Sequence, residues 1–144
     1  MVAFAAIRPV NLAVQMLNLK RDFPDWSCSV VQSWLRCRGK LTPSALSETY
    51  TVTLQYNLND SPIVHVVDPA LRQYEGRKPE HLYEDDSLCL YLPGGHEWSR
   101  DQLLVKTVVP WTCEWLLHYE FWLCTGEWSG GGLHPPRRRP RGDK

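Results

Sequence analysis

The sequence lacks long apolar runs, paired cysteines and an excess of either charge, and each absence closes a class of function. Its most apolar stretch, Trp111 to Cys124, is broken by Glu114, His118 and Glu120, whereas a membrane-spanning helix needs about 20 mostly apolar residues in a row. A transmembrane reading fails. The five cysteines, Cys28, Cys37, Cys89, Cys113 and Cys124, form an odd set with no Cys-x-x-Cys pair, so neither a disulfide framework nor a zinc ribbon is expected. Cys113 and His118 lie five apart, too little for a metal site by themselves, and no metal or other cofactor is called for. The N-terminus lacks the basic-then-apolar order of a secretory leader. Together with the cysteine set this reads as a protein of the reducing cytosol. At 144 residues there is room for one core, and a separate adenylating domain of about 200 residues does not fit beside it.

What is present is an ordinary globular composition, 43% hydrophobic and 22% charged, with seven Trp, six Tyr and three Phe to fill a core. The charges cancel overall but not locally. Arg137, Arg138, Arg139, Arg141 and Lys144 gather at the C-terminus and leave 11 basic and 15 acidic residues in positions 1–136, a mildly acidic body with a basic tail. Leu12, Met16, Leu19 and Phe23 recur at helical spacing, with Ala13 and Leu17 widening the stripe. An amphipathic N-terminal helix over Asn11 to Phe23 follows. Beyond Pro24 the pattern turns to strands at Val30 to Arg38, Glu48 to Leu58 and Ile63 to Val67. The second of these alternates Tyr50, Val52, Leu54, Tyr56 and Leu58 with Thr51, Thr53, Gln55 and Asn57, the period of a half-buried antiparallel strand. The expected order is a helix followed by a three-strand antiparallel meander.

Residues 69–87 carry Pro, Gly and charge without periodicity, a long surface segment of the kind that usually serves a function. It leads into the apolar run Ser87 to Leu92, closed by Pro93-Gly94-Gly95 and followed by His96-Glu97-Trp98-Ser99. Further on, Trp111, Trp115, His118 with Tyr119, and Trp122 share one helical face, and Leu116, Leu117, Phe121 and Leu123 cover much of the rest. Pro110 suits a first turn and Gly126 a C-terminal stop, so a long helix buried against the sheet is expected. The fold class is therefore α+β. Positions 1–128 form the domain, and 129–144 form a Gly/Pro/Arg-rich tail that reads as flexible.

Several side chains could carry chemistry. Cys89 ends the charged loop, and His81 lies eight residues before it, near enough to share a site through a loop. Glu84, Asp85 and Asp86 would raise rather than lower a nearby thiol pKa, which suits a cysteine that exchanges acyl groups with another thioester better than a permanently ionised one. In an apolar run a cysteine is more often core filler. His118 and His65 read as core histidines, and Cys113 and Cys124 as packing residues. The basic tail has no interleaved aromatics, so nucleic-acid binding is not expected.

The order of features resembles the ubiquitin-conjugating enzymes: an N-terminal helix, a strand bearing Trp34, the Tyr50 to Leu58 strand, the Pro62-Ile63-Val64 strand, a loop with His81, the Ser87-Leu88-Cys89-Leu90 segment, Trp98-Ser99 and a long helix. In that family a His-Pro-Asn tripeptide precedes the thioester-forming cysteine. Here His81-Leu82-Tyr83 keeps the histidine, lacks the Pro and the oxyanion-stabilising Asn, and stands two residues closer to the cysteine. Three strings, His81 to Tyr91, Val109 to Leu116 and Thr125 to Pro135, are more similar to the stand-alone conjugating-enzyme-like proteins of CBASS antiphage systems, encoded beside a cGAS-like cyclase.

The resemblance covers residues 10–135. It implies that Cys89 forms a thioester with the C-terminus of the partner cyclase and passes the acyl group to an amine. His81 would then order the loop or assist proton transfer, and Glu84, Asp85 or Asp86 would hold or help deprotonate the incoming amine, or order the loop. Two other readings stand beside it. The missing Asn fits a non-catalytic interaction domain of the same fold, and a His81–Cys89 dyad fits a cysteine hydrolase.

Overall fold

The computed structural model describes residues 8–91 and 97–129. The end of the apolar run with its Pro93-Gly94-Gly95 closure, and the expected tail except Ser129, lie outside the described residues. Helix α1 spans Leu12–Asp22 and is opened by Asn11, whose side chain accepts the Val14 N–H at 2.9 Å. Leu12 and Leu19 are buried, with Met16 and Phe23 packed beside them. Ala13 and Leu17, expected to widen the stripe, face solvent. The fully buried Gln15 takes a core position instead. Its amide nitrogen donates to the Gln102 carbonyl at 2.8 Å, and its oxygen accepts the Leu104 N–H at 2.9 Å. Both ends of the buried amide are thereby satisfied, and α1 is tied to the 3-10 turn Leu104–Lys106.

The sheet has four antiparallel strands in the order β1-β2-β3-β4: Ser27–Val31, Trp34–Leu41, Tyr50–Tyr56 and Ile63–Asp68. The expected first strand, Val30 to Arg38, is in fact a hairpin. Gln32 and Ser33 take positive φ of 52° and 66° between Val31 and Trp34, the left-handed pair that a two-residue hairpin turn needs. Along β2, Leu35, Cys37, Gly39 and Leu41 face the core while Arg36, Arg38 and Lys40 face out. Gly39 is required by close approach, because any Cβ there would meet the ring of buried Trp26.

Helix α2, Val108–Thr125, lays Trp115, Leu116, Tyr119 and Trp122 on the core. It is not buried all round as expected, since Leu117 and Phe121 are 41% and 49% exposed. Glu120 joins α2 to the sheet side by accepting the hydroxyls of Ser47 at 2.6 Å and Tyr50 at 2.8 Å. Gly126 ends the helix in the left-handed conformation, φ 76°, and donates its N–H to the Trp122 carbonyl. The molecule is α+β, with a helix at each end of the chain and the sheet between them in sequence.

Candidate active site

The segment from β4 to Cys89 is long but well held. Tyr74 and Arg77 exchange backbone hydrogen bonds at 2.9 Å around Glu75-Gly76, and the Tyr74 ring packs against Trp122 with centroids 5.8 Å apart. The Arg72 N–H donates to the Tyr119 hydroxyl at 2.7 Å. Residues 81–89 then double back as a miniature antiparallel ladder. The Cys89 N–H donates to the His81 carbonyl at 2.9 Å, Leu82 bridges Leu88, and the Tyr83 N–H donates to the Ser87 carbonyl at 2.9 Å. An eight-residue spacing therefore becomes direct contact across the ladder. The Leu88 N–H donates to the Val64 carbonyl at 2.9 Å and fastens this loop to β4.

The His81 carbonyl is also the acceptor of the Trp115 indole N–H, at 3.1 Å, so one oxygen fixes Cys89 to α2. His81 itself is buried and has φ 57°, a left-handed geometry uncommon outside glycine, Asn, Asp and His. Its ring meets Trp128 edge-on, centroids 5.3 Å apart, and Trp128 in turn packs at 5.1 Å from Trp115 and 6.1 Å from His118. The chain beyond α2 thus turns back over the loop. The Cys89 Sγ donates to the Tyr91 carbonyl at 3.4 Å, and Tyr91 lies 5.8 Å from Trp111. Cys89 is 3% exposed, although it ends the charged surface segment.

The three acidic residues stand apart from this pair, on the exposed turn of the ladder. Asp85 accepts the Ser87 N–H at 3.0 Å and the Ser87 hydroxyl, and its own carbonyl lies 3.1 Å from His65 Nε2. Asp86, at φ 64°, is paired with Lys78 at 2.9 Å. Glu84 is exposed on the same turn. The structure therefore brings Cys89 and His81 together and leaves Glu84, Asp85 and Asp86 at the far end of the loop. Asp85 and Asp86 shape that loop.

Three other expectations change. His118 is half-buried, with Nδ1 2.9 Å from the Ser129 hydroxyl, and His65 is half-buried on β4, so neither is a core histidine. Cys124 is exposed rather than packed, whereas Cys113 is half-buried and packed against the core as expected, its thiol pushed up by burial. Trp115 and Trp128 were legible only as packing or as parts of a sequence string. Their contacts to His81 depend on chain segments 34 and 47 residues away, and no local pattern announces them.

Among the described residues no helix is long and apolar enough to cross a membrane. No curated protein matches the chain at a significant level. A family model described as Type II CBASS E2 protein matches residues 15–135. With the α+β architecture and the ladder-held cysteine loop already described, the chain belongs to this family of E2-like proteins of antiphage defence.

Proposed function

We propose that Cys89 is the acyl-carrying nucleophile of this CBASS E2 protein. It accepts the activated C-terminal acyl group of the partner cyclase as a thioester and transfers it to an amine. The observation that carries this reading is the double use of the His81 carbonyl, which holds the Cys89 N–H at 2.9 Å and the Trp115 indole at 3.1 Å. A packing cysteine needs no such fixture, whereas a sulfur that must meet an acyl carbon gains from a backbone held in one place. His81 then serves as a loop-ordering residue through its backbone. The acidic turn of Glu84, Asp85 and Asp86 lies on the solvent side, where it attracts an incoming ammonium.

In the first step the Cys89 sulfur attacks the carbonyl carbon of an incoming thioester, the bond to the departing sulfur breaks, and that sulfur takes the proton Cys89 gives up. In the second step an amine attacks the Cys89 thioester, the amide forms, and the amine's surplus proton leaves with the regenerated thiol. Sγ is engaged by the Tyr91 carbonyl at 3.4 Å, and attack on the acyl donor requires the thiol to leave that contact.

The test is incubation of the full chain with its partner cyclase carrying its C-terminus as an activated thioester, followed by intact-mass spectrometry. An adduct cleaved by excess thiol and absent from Cys89→Ala supports the reading. Stable binding without an adduct identifies the interaction domain, and release of free acid without an amide product identifies the hydrolase.

A further inference from the structure

Cys28 and Cys37 lie directly opposite each other across the β1–β2 hairpin, in the register Cys28↔Cys37. Counting back from the two-residue turn, Val31↔Trp34 is the hydrogen-bonded pair that closes it, Val30↔Leu35 the next, Ser29↔Arg36 hydrogen-bonded again, and Cys28↔Cys37 a non-hydrogen-bonded pair. Alternation of the two kinds is a property of every antiparallel ladder, and at the non-hydrogen-bonded positions the Cα atoms approach to about 4.5 Å with their side chains closest. A disulfide accepts Cα separations of about 4.4 to 6.8 Å. Cys28 is also among the groups that push the Cys37 thiol up, after burial.

We infer that Cys28 and Cys37 form a peroxide-sensitive dithiol that closes to a cross-strand disulfide, a modification site separate from Cys89. β1 is an edge strand of the sheet, and Cys28 is half-buried upon it, while Cys37 on the neighbouring β2 is buried. Cys28 therefore meets the oxidant first. Its sulfur attacks one oxygen of the hydroperoxide, the O–O bond breaks, and Cys28 sulfenic acid and a first water (from hydrogen peroxide) are formed. The Cys37 sulfur then attacks the Cys28 sulfur, the S–O bond breaks, and the departing oxygen leaves as a second water with the Cys37 proton. Two electrons pass from the two thiols to one peroxide.

Proximity makes the second step intramolecular. Burial and the Cys28 contact push the Cys37 thiol up, while the neighbouring Lys20 ammonium draws it down, so closure follows rather than initiates. Lys20 is itself held by the Pro24 carbonyl at 3.0 Å and by the Trp26 carbonyl. The positive charge thus stands at the end of α1, over the hairpin.

The experiment treats the full-length protein with hydrogen peroxide, quenches it, alkylates in denaturant with N-ethylmaleimide and maps the peptides by mass spectrometry. The expected result is loss of both maleimide adducts at Cys28 and Cys37, recovery of the two as one species lighter by two hydrogens, and return of both adducts after dithiothreitol. In Cys28→Ser the Cys37 adduct persists, and in Cys89→Ala the crosslink still forms. Exposed Cys124 serves as the comparator that has no cross-strand partner. The inference is overturned if Cys28 and Cys37 both remain alkylatable at a peroxide dose that consumes Cys124, or if Cys28 accumulates as sulfinic acid with Cys37 still a thiol.

Discussion

Changing Cys89 to Ala deletes one buried sulfur and should cost about 1 kcal/mol of stability, yet abolish the thiol-sensitive adduct. Ala at Cys28, Cys37, Cys113 or Cys124 should leave the adduct intact. Intact-mass measurement on the five variants decides the matter, and an adduct that survives Cys89→Ala would sink the assignment. A second residue-scale prediction concerns Trp115. Trp115→Phe keeps an aromatic ring but removes the indole donor to the His81 carbonyl. Because that oxygen still receives the Cys89 N–H, stability should fall by only about 1 kcal/mol, whereas single-turnover transfer should slow by a larger factor than thermal melting suggests. Equal losses in both would reduce Trp115 to a packing residue. At this scale the sequence singled out Cys89 and His81 as candidates because each stands in a recognisable order of residues. It could not expose the shared carbonyl, since a backbone oxygen has no signature in a sequence.

Helix α2 illustrates what an apolar pattern leaves open. Trp122 has no exposed surface and Phe121 is half exposed, although they are neighbours of similar hydrophobicity. Trp122→Ala should lower stability by about 3 to 5 kcal/mol, while Phe121→Ala should stay below about 1 kcal/mol. Thermal melts of the two variants measure this, and a Trp122→Ala protein as stable as the parent would mean that the core lies elsewhere.

The β3–α2 and β1–β2 contacts add a pH dependence. The Tyr50 phenol is pushed far up by burial and by its hydrogen bond to Glu120, and the Cys37 thiol is pushed far up by burial and the Cys28 contact. Both groups hold their protons more tightly folded than unfolded, so the folded state binds more protons at alkaline pH and stability declines as pH rises. The loss should set in near pH 9, the ordinary range of a thiol, and steepen near pH 10, that of a phenol. Denaturant midpoints from pH 7 to 11 check it. Tyr50→Phe should flatten the upper part of the curve, and an unchanged curve in that variant would remove Tyr50 as a cause.

For the molecule as a whole, charge separates a mildly acidic body from five basic residues in positions 137–144. Truncation after Pro136 should spare the chemistry; if the acidic body must approach an acidic region of the partner, it should slow conjugation at low ionic strength, where electrostatic steering reaches farthest, and have little effect at high salt. Single-turnover rates across salt concentrations test this, and complete loss at every salt level would instead place the tail in the active site.

The sequence by itself determined the helix at each end, the two later strands and the α+β class, because periods of 3.6 and 2 are local and survive without knowledge of neighbours. It missed the β1–β2 hairpin, whose Gln32-Ser33 turn adopts positive φ without the Gly or Asn that normally signals it. It also missed Gln15, a polar residue admitted to the core by partners some 87 and 89 residues away. Only the tertiary structure decided that His81 touches Cys89, that Asp85 and Asp86 turn to Ser87 and Lys78, and that Cys28 faces Cys37. Each of these depends on where the backbone folds back on itself, and strand register, unlike hydrophobic period, is fixed by contacts between segments rather than by any one of them.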